Sequence, residues 1–321
     1  MWFVFTIATT LIWGLAELFY KKGANSDEKY SHLKICVCVG TVMGIHAIFT
    51  LLTQSINYNP LNLLYYAPVS LLYILSMTLS FYGIRYIEES LSDPIENTSG
   101  AICMLLCVAF LNQKVTTLTI IAVLLILSGI IGLGYIENRS DSDRKKKYGK
   151  KMAIIGFTMP FCYAILDALG SFLDIYYLDI NTSPLIEVTD ATIEQVANTS
   201  YELSFAIFAI FLLLYMKSKH ESFGLTNQRD KIIAAACETA GQFTYVYAMS
   251  GNGAIAAPII SSVCVVSLLL SRIFLHEKLS RQQYIFLTLV VIGILTIAKI
   301  DIYSKTISFF NFIFIQIAVI V

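Results

Sequence analysis

The sequence predicts an all-α, polytopic membrane protein of about ten transmembrane helices in two inverted five-helix repeats. Three observations predict it: a composition suited to lipid, ten long apolar runs, and a self-match between the two halves of the chain.

Only 14% of the 321 residues are charged and 57% are hydrophobic, with a mean hydropathy of +0.71. A soluble chain carries about 25% charged residues, so this one lacks the polar side chains to coat a water-facing surface. Its 20 Phe and 19 Tyr suit lipid–water boundaries, where rings collect. Cys36, Cys38, Cys103, Cys107, Cys162, Cys237 and Cys264 all fall in apolar stretches. They read as small buried hydrophobes rather than disulfide or zinc ligands. His32, His46, His220 and His276 are scattered, and neither a metal nor a cofactor is expected.

A bilayer core takes about 20 apolar residues of helix, because backbone in lipid must satisfy its own hydrogen bonds. The runs at roughly 2–20, 33–53, 63–86, 91–111, 116–135, 152–178, 200–217, 230–249, 254–275 and 282–300 meet that need. The first starts at Met1 without a basic leader and carries Trp13 and Glu17, so it reads as a retained helix. The chain then divides into a first repeat, 1–135, a charged linker, 136–151, a second repeat, 152–300, and an apolar tail, 301–321. The run 307–321 within that tail is short for a span and is left open as an interfacial helix, an eleventh span or an irregular terminus.

The linker carries Arg139, Arg144, Lys145, Lys146, Lys147, Lys150 and Lys151, whereas the polar loop 179–199 has no basic residue and holds Asp179, Glu187, Asp190 and Glu194. Of the 22 basic residues, nineteen fall on the linker's side of the membrane and three, Lys114, Lys299 and Lys305, on the other. Basic residues favour the cytoplasm, which places the linker inside and the N-terminus outside.

Sliding the sequence along itself puts Pro94 on Pro258 and carries the match without gaps to Ile131 on Leu295. Leu105-Leu106 falls on Leu269-Leu270, Phe110-Leu111 on Phe274-Leu275, Lys114 on Lys278 and Gly129-Ile130 on Gly293-Ile294. Chance aligns leucines more easily than a Pro, a Lys and a Gly at one offset. An odd number of helices per repeat inverts the second copy, and inverted repeats place a solute site near mid-bilayer.

The chain is similar to the EamA-like transporters of the drug/metabolite transporter superfamily. The resemblance rests on Leu11-Ile12-Trp13-Gly14 with Lys21-Lys22 behind it, on Ala256-Ala257-Pro258, on Phe274-Leu275-His276-Glu277-Lys278-Leu279, and on Gly293. It covers roughly residues 1–300. Gln113 stands where the second half has Glu277, a departure from the family's acid. The resemblance implies a secondary transporter with cytoplasmic chain ends, opposite to the charge count, which we retain.

Ionisable groups at membrane depth are costly and mark function or pairing; here they are Glu17, Asp93, Glu96, Asp167, Asp174 and Glu238. Trp13 lies four residues before Glu17 and Tyr163 four before Asp167, so ring and acid share a helix face in each half. Such a carboxylate is placed to exchange a proton with a cationic or hydroxyl-rich solute; the plainer reading of Glu17 pairs it with Lys21. Ser92-Asp93-Pro94-Ile95-Glu96 fits a capped helix start, or Glu96, Asn97 and Thr98 line a cavity whose second copy supplies Ser261 and Ser262. Glu238, Gln242 and Tyr245 share one face of helix eight, for hydrogen bonding within the bundle or for solute contact. Tyr82 and Tyr86 suit interface anchors, and Gly40 and Gly44 suit helix packing.

No Gly-x-Ser-x-Gly, His-Glu-x-x-His or phosphate-loop motif occurs. Secondary transport of a small organic metabolite by alternating access, with proton coupling, is the leading expectation. A membrane-embedded enzyme, sensor or scaffold is the alternative. The expected partners are the bilayer and a small solute rather than nucleic acid; a homodimer is left open. The expected location is the cell membrane, of bacterial inner-membrane type.

Overall fold

In a computed structural model, residues 1–23, 28, 30–54, 56–83, 95–140, 150–224, 228–274 and 280–320 are described. Among them the chain is helical: α1 Trp2–Gly23, α2 Ser31–Thr53, α3 Leu61–Tyr65, α4 Ala67–Gly83, α5 Ser99–Phe110, α6 Thr117–Ser140, α7 Lys150–Leu178, α8 Ile193–Ser218, α9 Arg229–Ile260, α10 Val263–Phe274 and α11 Arg281–Ile320. Among the described residues, five stretches are long and apolar enough to cross a bilayer alone: Trp2–Tyr20, Ser31–Thr53, Thr158–Leu178, Ile193–Ser218 and Arg281–Ile300. A sixth is the pair Arg229–Ile260 and Val263–Leu270, bent by 51°. The shorter apolar helices Ala67–Gly83, Ser99–Phe110 and Thr117–Leu133 occupy expected spans three to five.

The outer surface is apolar and the inner faces carry the polar groups. On α8, Ile207, Ile210, Phe211 and Leu214 are exposed while Asn198, Ser200 and Glu202 are buried. A water-soluble helix does the reverse, so lipid is the solvent on the outside.

Helix pairing shows the repeat. Helix α1 packs on α9, and α4 packs on α7. Under a shift of five spans these two pairings are each other's counterpart. The remaining principal pairs, α2 with α8 and α6 with α11, join equivalent spans of the two halves. The bundle therefore follows the pseudo-two-fold relation of inverted repeats.

Spans eight and nine meet where expected, at Asn252, whose non-helical backbone (φ −166°, ψ 65°) separates two helices within α9. Gly, Asn and Ser are favoured turn residues, and Ser250-Gly251-Asn252-Gly253 supplies them at the join. Several expectations need correction. The basic-free loop ends earlier than 199, since α8 starts at Ile193. Asn198, inside the stretch expected as loop, is instead buried on that helix. Helices α6 and α7 reach into the charged linker, to Ser140 and from Lys150. Helix α11 runs without a break to Ile320, so the tail extends the last span as helix. Asp93, Pro94, Tyr86 and Leu275 to Leu279 lie outside the described residues.

Gly40 and Gly44 pack as expected, the first against the Phe205 carbonyl and Ala209, the second against Ala206. All seven cysteines are free thiols, with Cys162 and Cys237 half-buried rather than buried.

Candidate functional site

Two broken helices shape the centre of the bundle. Helical backbone at Ile95-Glu96 gives way at Asn97-Thr98 before α5 resumes at Ser99, and α9 gives way at Ser261-Ser262 before α10 begins. These breaks occupy the same place in the two repeats. Their hydrogen bonds match as well. Thr98 Oγ1 donates to the Ile95 carbonyl at 2.7 Å, and Ser262 Oγ to the Ile259 carbonyl at 2.6 Å. Broken helices are tolerated at membrane depth where they border protein or a water-filled cavity.

Between the breaks lies a cavity of about 160 Å3, a volume comparable with cavities that admit a benzene-sized molecule. Helix α1 contributes Trp13, Glu17 and Tyr20, and the first break contributes Glu96, Asn97 and Ser99. Helix α7 contributes Tyr163, Asp167 and Ser171; α9 contributes Glu238, Gln242 and Tyr245, and the second break adds Ser261. Ten of the residues singled out from the sequence thus meet at one void. Thr98 and Ser262 do not line it, because their hydroxyls turn back onto Ile95 and Ile259. At the second break the Ile259 carbonyl accepts the Ser262 N–H at 2.9 Å, and the Ser262 hydroxyl shares the same acceptor.

The carboxylates are held by different means. Ser80 Oγ donates to Glu96 Oε2 at 2.8 Å, so Glu96 borders the cavity and reaches α4. Tyr20 Oη approaches Glu238 Oε2 at 3.5 Å, the long limit for such a bond. Ser99, Tyr163 and Asp167 border the same cavity as Glu17, Glu96 and Glu238. Trp13 Nε1 donates to the Glu238 carbonyl at 3.2 Å, which fixes the indole against Tyr245 with ring centroids 5.1 Å apart.

Tyrosines that the sequence did not single out, Tyr73 and Tyr201, also line the cavity. Tyr73 Oη bonds Tyr245 Oη at 2.7 Å, and both reach Ser171 Oγ at 3.0 Å. The Tyr73 ring also packs edge-on to Tyr201. Beyond this layer, Tyr66 donates a short hydrogen bond to Asp174, which is fully buried. Asp174 therefore stands outside the cavity lining, although the sequence grouped it with the other acids.

Each end of the bundle is tied. On the face shared by the acidic loop, Asn57 and Asn59 donate to Glu187, and Asn62 makes a two-way pair with the Ile186 backbone. On the opposite face, Glu28 takes Lys34 at 2.5 Å and Lys231 at 3.1 Å, and Lys34 also reaches Glu221 at 3.0 Å. A further acid that sequence reasoning missed is Glu202. It is fully buried and bonds His46 Nδ1 at 2.8 Å and Asn198 Nδ2 at 2.9 Å, joining α2 to α8.

Among the described residues no group of three His, Cys, Asp or Glu side chains is arranged to hold a metal ion. No curated protein matches the chain. Twenty-eight solved chains resemble it, among them a crystal structure titled only as that of a protein. That structure aligns with a TM-score of 0.69 at 12% identity, covering 93% of this chain and 96% of the other; at that identity the likeness concerns the fold. The family model described as the EamA-like transporter family matches residues 1–135 and 183–299. The chain belongs to the EamA-like transporter family, an integral membrane family of transporters consistent with the drug/metabolite transporter superfamily.

Proposed function

We propose that this protein is a secondary transporter that moves a small organic metabolite across the cell membrane by alternating access between its two repeats. Protons exchange with the solute at the cavity carboxylates. One observation carries the reading: Glu17 and Glu96 from the first repeat and Asp167 and Glu238 from the second border one void at the centre of the bundle. Ionisable groups at that depth are expensive unless they serve a polar path. The matched helix breaks give each repeat a point at which to hinge against the other. The tyrosine layer at Tyr73, Tyr245 and Ser171 serves as the closed gate on the face of the acidic loop.

Counterflow in proteoliposomes tests this. Pooled amino acids, sugars, nucleotides and amines are loaded on one side, and labelled uptake is followed with and without a pH gradient. The expected result is saturable exchange of one class, driven by the gradient and lost in Asp167→Asn. If no class moves and Asp167→Asn matches wild type, the transport reading fails and an enzyme, sensor or scaffold takes its place.

A further inference from the structure

Building on that transport reading, we propose that Asp174 is a proton-binding site separate from the cavity, which takes one proton from the acidic-loop side and holds it occluded in this conformation. Placement gives the first argument. Asp167, Ser171 and Asp174 recur at i, i+4 and i+7 on α7; Tyr66, Ser70 and Tyr73 recur at the same spacing into α4, which packs on α7. Residues so spaced share a helix face, and the two faces meet. Tyr73 Oη donates to Ser171 Oγ at 3.0 Å, and Tyr66 donates to Asp174. The cavity is lined by Asp167, Ser171 and Tyr73, so the polar seam starts there. It runs toward the acidic loop, where Asn62 pairs with the Ile186 backbone. Asp174 stands at its outer end, about one turn before α7 stops at Leu178.

Hydrogen bonding gives the second. Asp174 and Ser70 are fully buried. Tyr66 serves Asp174 Oδ1, whereas Asp174 Oδ2 and Ser70 Oγ have no hydrogen-bond partner among the described residues. Polar groups this deep almost always have partners. An ionised Asp174 would keep a full charge in a dry place with one oxygen bare, which is strongly disfavoured. A proton on Oδ2 leaves a neutral acid whose Oδ1, now the carbonyl oxygen, accepts the Tyr66 O–H. A metal cation fits poorly: calcium takes about six to eight oxygens, and the seam offers one bare carboxylate oxygen and one hydroxyl.

Other titratable groups lie on the faces packed here. Helix α4 brings Tyr66 and Tyr73, α5 brings Cys103 and Cys107, and α9 brings Tyr245. Helix α8 brings Tyr201 and Glu202, the latter engaged by His46 and Asn198. On α7 itself are Asp167 and Tyr177, whose ring meets that of Tyr66 edge-on. The tyrosines and cysteines are ordinarily neutral. Opening toward the acidic loop admits water, which carries the proton away and hydrates the carboxylate left behind. Closure needs the proton back, so proton release and gate opening are one event.

Infrared difference spectroscopy of the purified full chain in liposomes tests this, because protonated carboxyls give a C=O band to which tyrosine and cysteine do not contribute. At neutral pH wild type is expected to show a band that Asp174→Asn removes and that Asp167→Asn and Glu202→Gln leave in place. Tyr66→Phe should move it to higher frequency, since the carbonyl loses its hydrogen bond. In heavy water the band should shift slowly in wild type and several-fold faster in Tyr73→Phe, as for a site reached by local opening. Thermal melting checks the folding of each variant. A spectrum unchanged in Asp174→Asn overturns the proposal, as does a band that Tyr66→Phe leaves in place, or wild-type exchange as fast as that of Tyr73→Phe. The expected bands without counterflow of any pooled solute leave the proton site standing and remove the transport reading. Exchange still driven by the pH gradient in Asp174→Asn overturns the site and leaves transport standing.

Discussion

Gly129 and Gly293 occupy equivalent places in the two repeats, and each packs against the other's neighbours. A Cβ on Gly129 would lie 2.4 Å from Val290 and 2.7 Å from the Phe286 carbonyl oxygen; one on Gly293 would lie 2.7 Å from both Ile126 and the Ala122 carbonyl oxygen. Val290 is the repeat partner of Ile126, and Phe286 of Ala122. The α6–α11 contact is therefore symmetric to the level of single atoms. Small residues allow this close approach, which is how helices associate when lipid removes the hydrophobic drive.

Alanine at either glycine should cost stability by overpacking against backbone, about 1–3 kcal/mol, and the two losses should be similar. Gly224→Ala serves as the control, because nothing lies within 4 Å of its added Cβ. Thermal unfolding in detergent reads all three. A neutral Gly293→Ala would show that the α6–α11 contact is looser than described.

The Glu202–His46 pair predicts an asymmetry between single and double variants. His46→Leu leaves the fully buried Glu202 carboxylate with Asn198 alone and should lower stability by about 2 kcal/mol, as for a hydrogen bond to a charged group. Changing both residues to leucine removes the stranded charge and should recover part of that loss. Chemical denaturation of both variants is the measurement.

Glu28 predicts a dependence on pH. Burial pushes its carboxyl up, but hydrogen bonds and charge from Lys34 and Lys231 outweigh burial and hold it below the ordinary value of 4.5. A depressed carboxylate contributes its stability above the ordinary value and loses it as pH falls through the folded one. The difference in melting temperature between wild type and Glu28→Gln should thus be constant above pH 4.5 and shrink below it. A difference that grows on acidification would contradict the assignment.

Tyr73→Phe removes the hydroxyl shared with Tyr245 and Ser171. It should cost about 1 kcal/mol and open the cavity toward the face of the acidic loop. Labelling of a cysteine placed at Ser171, in a background without native cysteines, measures that opening from the same face.

Much of this was readable from the chain because two periodicities coincide. Trp13 with Glu17, Tyr163 with Asp167, and Glu238 with Gln242 and Tyr245 are helical spacings that place polar groups on one face, and the offset from Pro94 to Pro258 relates the two breaks. Other features left no such mark. Tyr73 and Tyr201 sit in apolar helices, where a ring reads equally well as core. Glu202 lies beside a polar segment that reads as loop, so its burial goes unseen. Ser262 shares its neighbour's spacing, yet its hydroxyl serves the backbone of the break, a local competition that periodicity does not register.

The central claim is that one cavity faces the two sides of the membrane in turn. A single cysteine at Asn97, in a background without native cysteines, tests it most directly when a membrane-impermeant maleimide is applied to each side of oriented vesicles. The account predicts labelling from both sides, with a pH gradient raising one rate and lowering the other. Labelling from one side only, unchanged by any gradient, would contradict it.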